Sequence, residues 1–311
     1  MDALAVVLEQ PQRIALSTLA ISEPTAEDVV VEVAFSGVST GTERLLWTGD
    51  MPPFPGMGYP LVPGYESIGR VIHAGENSGR SEGDWVFVPG ANCYGDVRGL
   101  FGGSASRVTL PGARVTPVDE NLGEKGVLLA LAATAYHAMA PGYEAPDLII
   151  GHGALGRLLA RIAVAAGHPA PTVWEINPAR MDGAQGYAVV RPDDDPRRDY
   201  QAIYDVSGDS SLLDALVARL KKGGEIVLAG FYAERLSFDF APAFMKEARL
   251  RTAAEFNPSD VAGVNDLLSS GALSLDGLIT HHSAPRDAGE AYNTAFSDAG
   301  CLKMILDWRP S

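Results

Sequence analysis

Short apolar runs interrupted by glycine and proline characterise the N-terminal part of the chain. Residues 29–35 (VVVEVAF), 69–73 and 85–88 are rich in β-branched and aromatic residues, which is typical of strands. Pairs such as Pro52-Pro53 and Pro63-Gly64 predict turns between such runs. Regularly spaced short strands predict a β-rich barrel or sandwich.

The pattern changes near Asn121, where helical segments begin to alternate with short apolar strands. The predicted helices cover residues 124–140, 158–166 and 211–222, and the predicted strands cover residues 148–150, 173–175, 202–206 and 225–229. This alternation predicts a parallel sheet covered by helices on both faces. We therefore expect an α/β protein with two domains, residues 1–122 completed by 281–311, and residues 123–280.

Composition narrows the possible partners and location. A net charge of -15 and a pI near 4.8 argue against nucleic acid and anionic membrane surfaces as partners. The cysteines, Cys93 and Cys301, are too few for a disulfide framework, which indicates a cytoplasmic protein. We expect no signal peptide, and the apolar stretch 127–140 is too short to span a bilayer.

The strongest motif is Gly151-His152-Gly153-Ala154-Leu155-Gly156, a G-x-G-x-x-G sequence between a predicted strand and a predicted helix. The first glycine permits a tight turn, the second lets the backbone approach a pyrophosphate, and the third lets helix and strand pack closely. The helix N-terminus offers free N–H groups to the phosphates. The motif therefore predicts a dinucleotide site.

An acid at the end of the next predicted strand supports this site. Glu175 lies roughly 20 residues beyond the motif, where a carboxylate binds both ribose hydroxyls and repels a 2′-phosphate. NAD is therefore the expected cofactor, although Arg180 lies nearby and weakens this preference. Ile176, Ser207 and Gly230 are expected near the same cofactor because they follow strand ends.

Several strings resemble the medium-chain dehydrogenase/reductase superfamily: Ser36-Gly37-Val38-Ser39, Pro63-Gly64-Tyr65-Glu66, Gly83-Asp84-Trp85-Val86, Thr134-Ala135-Tyr136 and Leu278-Ile279-Thr280-His281. This resemblance implies a GroES-like catalytic domain for residues 1–122 with 281–311, and a Rossmann domain for residues 123–280. It implies oxidoreductase activity with a nicotinamide cofactor.

The same resemblance places Ser39, Tyr65 and Ala130 where zinc-dependent members carry their metal ligands. None of the three supplies a thiolate or an imidazole, which zinc prefers in such sites. The superfamily's four-cysteine structural lobe is also missing, because only Cys93 remains in that stretch. We therefore expect no metal.

Longer strings resemble the bacteriochlorophyllide a dehydrogenases of bacteriochlorophyll synthesis. They are Ser39-Thr40-Gly41-Thr42-Glu43-Arg44, Trp47-Thr48-Gly49, and residues 57–67 (MGYPLVPGYES). This resemblance implies oxidation of the 3-(1-hydroxyethyl) group of a tetrapyrrole to a 3-acetyl group with NAD.

Without a metal, hydrogen-bond donors must stabilise the developing alkoxide. The expected groups are the hydroxyls of Ser39, Thr40 and Tyr65. The candidate proton acceptors are Glu66, Glu43 and His152. Structural alternatives remain open: Glu66 binds a backbone group or an arginine, Glu43 pairs with Arg44 on the surface, His152 faces solvent, and Tyr65 packs in the barrel.

A flat, apolar, carboxylate-bearing ring requires an apolar cleft with a cation. The expected substrate-binding residues are Arg44, Trp47, Phe54, Met57 and Tyr59, with Met51, Phe101, Arg98 and Arg107 as further candidates. The alternative is that these aromatic and methionine side chains form the core or the interface of a homodimer.

Two other functions remain open. A zinc-free quinone or enone reductase of the same superfamily is disfavoured by Glu175, because those enzymes commonly use NADPH. A non-catalytic protein that binds nucleotide and pigment is disfavoured by the complete dinucleotide motif.

Overall fold

The structure is a computed structural model that describes residues 1–140 and 142–310. The chain divides into two compact units, Met1–Ala130 with Leu278–Ser311, and Leu131–Gly277. The expected boundaries at 122/123 and 280/281 differ by a few residues. The first lies later because the 3-10 helix Glu120–Leu128 packs on the β-rich unit, where a Cβ on Gly126 would lie 1.9 Å from Ile68 Cδ1.

The first unit begins with a β-rich segment. Its elements are β1 (Asp2–Gln10), β2 (Arg13–Ala20), β3 (Asp28–Val38), α1 (Thr42–Thr48), β4 (Leu61–Val62), β5 (Ser67–Ala74), β6 (Trp85–Val88), β7 (Arg98–Gly99), β8 (Arg107–Pro111) and β9 (Thr116–Pro117). The three predicted strands lie within β3, β5 and β6. The 3-10 helices of this segment are Gly112–Arg114 and Glu120–Leu128.

The second unit alternates strands and helices. Its elements are α2 (Leu129–Ala138), β10 (Leu148–Ile150), α3 (Ala154–Ala165), β11 (Thr172–Trp174), β12 (Ala188–Val190), β13 (Tyr200–Asp205), α4 (Leu213–Arg219), β14 (Leu220–Leu228), α5 (Phe240–Lys246), β15 (Arg249–Thr252) and α6 (Pro258–Ser269). Short 3-10 helices cover Pro178–Arg180 and Pro192–Asp194.

The chain then returns to the first unit through β16 (His281–Ser283), the 3-10 helix Pro285–Asp287, α7 (Ala288–Ser297) and β17 (Met304–Asp307). There β17 pairs antiparallel with the end of β3, so that Ile305 lies opposite Gly37. The larger sheet of this unit has the order β16-β17-β3-β5-β6-β9, with β8 paired to β3, and the smaller has the order β2-β1-β4-β7. The return segment thus borders the loop that follows β3.

The second unit contains a parallel sheet with the order β12-β11-β10-β13-β14-β15. The order reverses between β10 and β13, and ligands of such folds bind at the carboxyl ends of the strands at this point. Strand β10 is completely apolar and buried, as a strand covered on both faces requires. The α/β class with a doubly wound sheet is confirmed.

All three predicted helices have different bounds in the structure, and the one expected over 158–166 is α3, Ala154–Ala165. The helix expected over 124–140 is the 3-10 helix Glu120–Leu128 followed by α2, and Gly123 has non-helical backbone angles. The helix expected over 211–222 ends at Arg219, because Leu220 already pairs with Tyr200 in the sheet. Among the described residues, no helix combines the length and apolar character needed to cross a membrane.

Candidate active site

The glycine-rich turn joins β10 to α3 at the point where the strand order reverses. Gly151 has a φ of 100°, and a Cβ on Gly156 would lie 1.9 Å from the carbonyl oxygen of Gly151. At Gly153 a Cβ would come no closer than 3.9 Å to a neighbour, Arg180 Nη1, so the backbone is open to an approaching group. This geometry fits a pyrophosphate at the N-terminus of α3.

Glu175 connects the end of β11 to this turn. Its Oε2 accepts the backbone N–H of His152 at 2.9 Å, and its Oε1 accepts those of Ile176 at 2.8 Å and Asn177 at 2.7 Å. The carboxylate is buried, whereas the Ile176 side chain beside it is 69% exposed. Glu175 therefore shapes the turn in addition to the cofactor role predicted for it.

His152 is fully buried beneath the turn. Its Nδ1 lies 2.6 Å from the carbonyl oxygen of Arg180 and its Nε2 lies 2.8 Å from the Tyr187 hydroxyl. Because a carbonyl only accepts, Nδ1 carries the proton and Nε2 accepts from Tyr187. Burial lowers the pKa of His152 to about 4. The imidazole is therefore neutral, and both of its nitrogens are hydrogen-bonded within the protein. This argues for a structural role of His152. It argues against the predictions that His152 accepts the substrate's proton or faces solvent.

The remaining predicted cofactor residues lie around the same turn. Ala154 and Leu155 form the first turn of α3. The backbone of Ser207 lies 3.6 Å from a Cβ built on Gly151, and that of Val206 lies 3.3 Å from one built on Gly230. The structure therefore brings the ends of β10, β13 and β14 together.

In the first unit, two of the predicted hydroxyls form a pair. Ser39 Oγ lies 2.6 Å from the Tyr65 hydroxyl, and Thr42 also hydrogen-bonds this phenol. Ser39 is buried, whereas Tyr65 is half-buried and meets the Phe101 ring edge-on at 5.5 Å. Burial raises the pKa of Tyr65, and the nearby charge of Glu66 raises it further. The phenol is therefore neutral in ordinary buffers. Thr40, beside this pair, is half-buried.

Glu43 is fully buried and does not pair with Arg44 on the surface. Its Oε1 accepts the Ser39 N–H at 3.0 Å, and its Oε2 accepts the hydroxyl of Tyr292 at 2.6 Å. Burial raises the pKa of Glu43 to about 7; the charge of Glu66 acts in the same direction, while both hydrogen bonds and Lys303 oppose it. No sequence pattern indicated Tyr292 as a partner.

This carboxyl predicts a pH dependence of stability. The folded-state pKa of Glu43 is about 7, above the ordinary value of 4.5, so folding is favoured below pH 4.5 and this contribution is lost as the pH rises through 7. The loss amounts to at most about 3 kcal/mol. Urea unfolding measured across this range should show the decline in the wild type and not in Glu43→Gln. The control variant Glu247→Gln, which alters an exposed carboxylate, should show the same decline as the wild type. A decline that persists in Glu43→Gln would contradict the prediction.

Glu66 is fully buried and its Oε2 forms an ion pair with the ammonium of Lys303. Lys303 Nζ also contacts the Val38 carbonyl oxygen at 3.4 Å. Glu66 Oε1 has no hydrogen-bond partner among the described residues. Gly37 leaves room for this carboxylate, since a Cβ there would lie 2.5 Å from Oε2. Glu66 therefore has a cationic partner, but this partner is Lys303 and not the arginine expected from the sequence.

The predicted substrate-binding residues fall into two groups. Arg44 and Phe54 are exposed. Trp47 packs against the rings of Tyr292 and Phe296, and Met57 and Tyr59 pack against a buried cluster that contains Leu46. Of the other cations, Arg107 pairs with Glu32 at 3.2 Å, and Arg98 donates to the Tyr59 carbonyl oxygen at 3.3 Å.

The side chains of this unit do not fit the catalytic zinc that zinc-dependent members of the superfamily carry. Ser39 and Tyr65 offer hydroxyls that already bond each other, and Ala130 offers no donor. Within residues 1–140 and 142–310, no three or more His, Cys, Asp or Glu side chains are grouped to hold a metal ion. The Glu66 carboxylate is instead paired with Lys303.

Comparisons with known proteins agree with this architecture. Residues 25–120 match the alcohol dehydrogenase GroES-like domain. A short chain alcohol dehydrogenase from E. coli, solved with NADH, superposes with a TM-score of 0.83 at 21% identity, covering 98% of this chain and 99% of that one. At this identity the likeness shows the fold alone.

Two relatives match at much higher identity. Both are 2-desacetyl-2-hydroxyethyl bacteriochlorophyllide A dehydrogenases. The one from Rhodobacter capsulatus is 57% identical and the one from Cereibacter sphaeroides is 56% identical, each over 99% of this chain and 99% of the relative. The chain therefore belongs to the family of 2-desacetyl-2-hydroxyethyl bacteriochlorophyllide A dehydrogenases, within the medium-chain dehydrogenase/reductase superfamily, as the sequence motifs predicted.

Proposed function

We propose that the protein oxidises the hydroxyethyl group of a bacteriochlorophyllide to an acetyl group, with NAD as acceptor and without zinc. The observation that carries the substrate is the 57% identity, over 99% of both chains, to a dehydrogenase named for this alcohol. The glycine turn and its flanking strand ends support the dinucleotide, because they leave an open backbone cradle at Gly153.

The reaction removes a hydride from the carbinol carbon and a proton from its hydroxyl, so that the C–O bond becomes a carbonyl. A bound nicotinamide supplies the hydride acceptor. The Ser39–Tyr65 pair hydrogen-bonds the substrate hydroxyl and relays its proton toward solvent. Because the pKa of Tyr65 is raised, its phenolate is disfavoured. The phenol therefore gives up its own proton only as it receives the substrate's proton, and it carries no negative charge afterwards.

Glu66 and Lys303 support this pair electrostatically in the proposed mechanism. The Lys303 ammonium balances the negative charge of the Glu66 carboxylate, which is buried beside Tyr65. Thr40 remains a predicted further donor. Arg44 is the preferred cation for the substrate carboxylate, because Arg107 and Arg98 already have protein partners.

The test of this function is anaerobic incubation of the purified protein with NAD and hydroxyethyl bacteriochlorophyllide a. We expect a red shift of the long-wavelength absorption band together with NADH formation. Both changes should also occur, at the same rate, after exhaustive chelation of metals. An unchanged spectrum with NAD bound would indicate a pigment-binding protein, and oxidation of NADPH by quinones alone would indicate a reductase. Loss of activity on chelation, with recovery on adding zinc, contradicts the zinc-free mechanism.

The preference for NAD rests on Glu175. Its three accepted N–H groups fix the carboxylate in place, so it cannot turn away from a 2′-phosphate. In Glu175→Gln the side-chain NH₂ replaces one of the two accepting oxygens. It then faces a backbone N–H donor, and this donor–donor contact disturbs the turn. We expect kcat/KM for NAD to fall by about tenfold or more, because the disturbed turn also binds the pyrophosphate. The same disturbance should offset any gain for NADP from the lost negative charge.

The matched control is Glu234→Gln, which alters an exposed carboxylate that accepts from Ser210 in the same unit. Both cofactors should give wild-type values in this control. Equal use of NAD and NADP by Glu175→Gln would show that charge alone, and not the geometry of the turn, sets the preference.

A further inference from the structure

The loop after β3 is held from the return segment through a buried carboxyl. Tyr292, on α7, donates its hydroxyl to Glu43 Oε2 at 2.6 Å. Glu43 Oε1 accepts the backbone N–H of Ser39 at 3.0 Å, and Ser39 Oγ contacts the Tyr65 hydroxyl at 2.6 Å. An unbroken line of contacts therefore runs from α7 to the hydroxyl pair.

We propose that Glu43 and Tyr292 are positioning residues that fix the Ser39 end of the Ser39–Tyr65 pair for proton relay. This inference rests on the proposed function, because it assigns the hydroxyl pair to alcohol oxidation. Neither residue touches the reacting atoms in this proposal; both act through the backbone of Ser39.

The local geometry supports positioning of the loop. Helix α1 begins without a side-chain cap at Gly41, and Glu43 in its first turn reaches back to Ser39. This bond closes the loop between β3 and α1 and fixes the Ser39 backbone. A serine side chain has a single rotatable bond before its oxygen, so fixing the backbone leaves few positions for Oγ.

The surroundings of the carboxyl show that packing alone does not account for it. Tyr292 and Glu43 are both fully buried, and the Tyr292 ring lies 6.2 Å from that of Trp47 and 5.6 Å from that of Phe296. A well-packed apolar residue in such an environment is often at least as stabilising as a buried charged group. The presence of a carboxyl group at this buried position is explained by its two hydrogen-bond partners, the Ser39 N–H and the Tyr292 hydroxyl.

The test uses the full-length protein and three conservative variants. Tyr292→Phe removes the donor to Glu43 with little change in volume. Glu43→Gln keeps an acceptor for the Ser39 N–H and an amide partner for the Tyr292 oxygen. The matched control, Tyr200→Phe, removes an equivalent buried bond to Asp195 Oδ2, 2.6 Å long, at the start of β13 and away from the strand ends that hold the cofactor.

We expect Tyr292→Phe to lower kcat for the hydroxyethyl substrate by about tenfold and to leave KM for NAD unchanged. The reason is that the variant loses a group that orients the proton relay but does not bind the cofactor. Glu43→Gln should stay within about threefold of wild-type kcat, since the rescue preserves both contacts. Tyr200→Phe should lower the melting temperature and leave kcat unchanged.

Other outcomes overturn the inference in distinguishable ways. If Tyr292→Phe and Tyr200→Phe lower the melting temperature alike and both leave kcat at the wild-type value, the contacts are structural only. If Glu43→Gln is as impaired as Tyr292→Phe, the charge and not the position matters. If the wild type itself does not oxidise the alcohol, the proposed function fails, and the inference fails with it.

Discussion

Replacing Tyr65 by phenylalanine is expected to lower kcat by about 10²- to 10³-fold, the usual cost of removing a positioned group that takes part in proton transfer. The phenol contacts Ser39 Oγ at 2.6 Å, and the raised pKa of Tyr65 keeps its proton available for donation. The loss should appear in kcat and in kcat/KM for the pigment alike, because the proton is transferred only in the transition state. Steady-state kinetics at saturating NAD measure it.

The double variant sharpens this test. Ser39→Ala alone should cost a similar factor, and Ser39→Ala combined with Tyr65→Phe should cost little more than either single change, because the two hydroxyls act as a unit. Tyr200→Phe again serves as the buried-phenol control. A Tyr65→Phe enzyme with wild-type kcat and a raised KM for the pigment would mean that the ring lines the substrate site and its hydroxyl has no part in the reaction.

The parallel-sheet unit was the most predictable part of the molecule. Its central strands contain short apolar runs, and β10, which is wholly apolar, was predicted with its observed bounds, residues 148–150. The glycine motif is also local, because Gly156 lies against the carbonyl oxygen of Gly151, only a few residues earlier in the chain. Helix ends were less predictable, since Leu220 joins a strand through its pairing with Tyr200.

The environment of individual polar side chains was hidden because it depends on distant segments. A histidine between two glycines looks exposed in sequence, yet Tyr187 and the Arg180 carbonyl enclose the His152 ring. Likewise Glu43 looks like a surface partner of Arg44, and only the return of α7 buries it against Tyr292.

Lys303 did leave a signal in the sequence. It is a single lysine inside the apolar run 301–306, and a lysine in a buried strand requires an anionic partner. The pairing of β17 with β3 selects that partner, because it brings Lys303 close to the Val38 carbonyl oxygen and to Glu66. The need for an anion could be predicted, but its identity required the topology of the sheet.

Lys303→Met is accordingly expected to destabilise the protein by about 3–5 kcal/mol, the cost of leaving a buried charge without its partner. Glu66 is fully buried and its Oε1 already lacks a partner among the described residues, so nothing else on the protein compensates the carboxylate. The midpoint of urea unfolding measures this loss. The same substitution in an exposed pair, Lys222→Met opposite Glu247, should cost no more than about 1 kcal/mol.

The second change in the pair separates charge from packing. Lys303→Met combined with Glu66→Met removes both charges and keeps the volume apolar, so we expect most of the lost stability to return. Recovery of stability without recovery of kcat would assign the Glu66–Lys303 pair to the chemistry at Tyr65, since the fold would be intact and only the local field changed. A double variant as unstable as Lys303→Met would instead mean that the lysine stem contributes through packing, and the electrostatic account would be wrong.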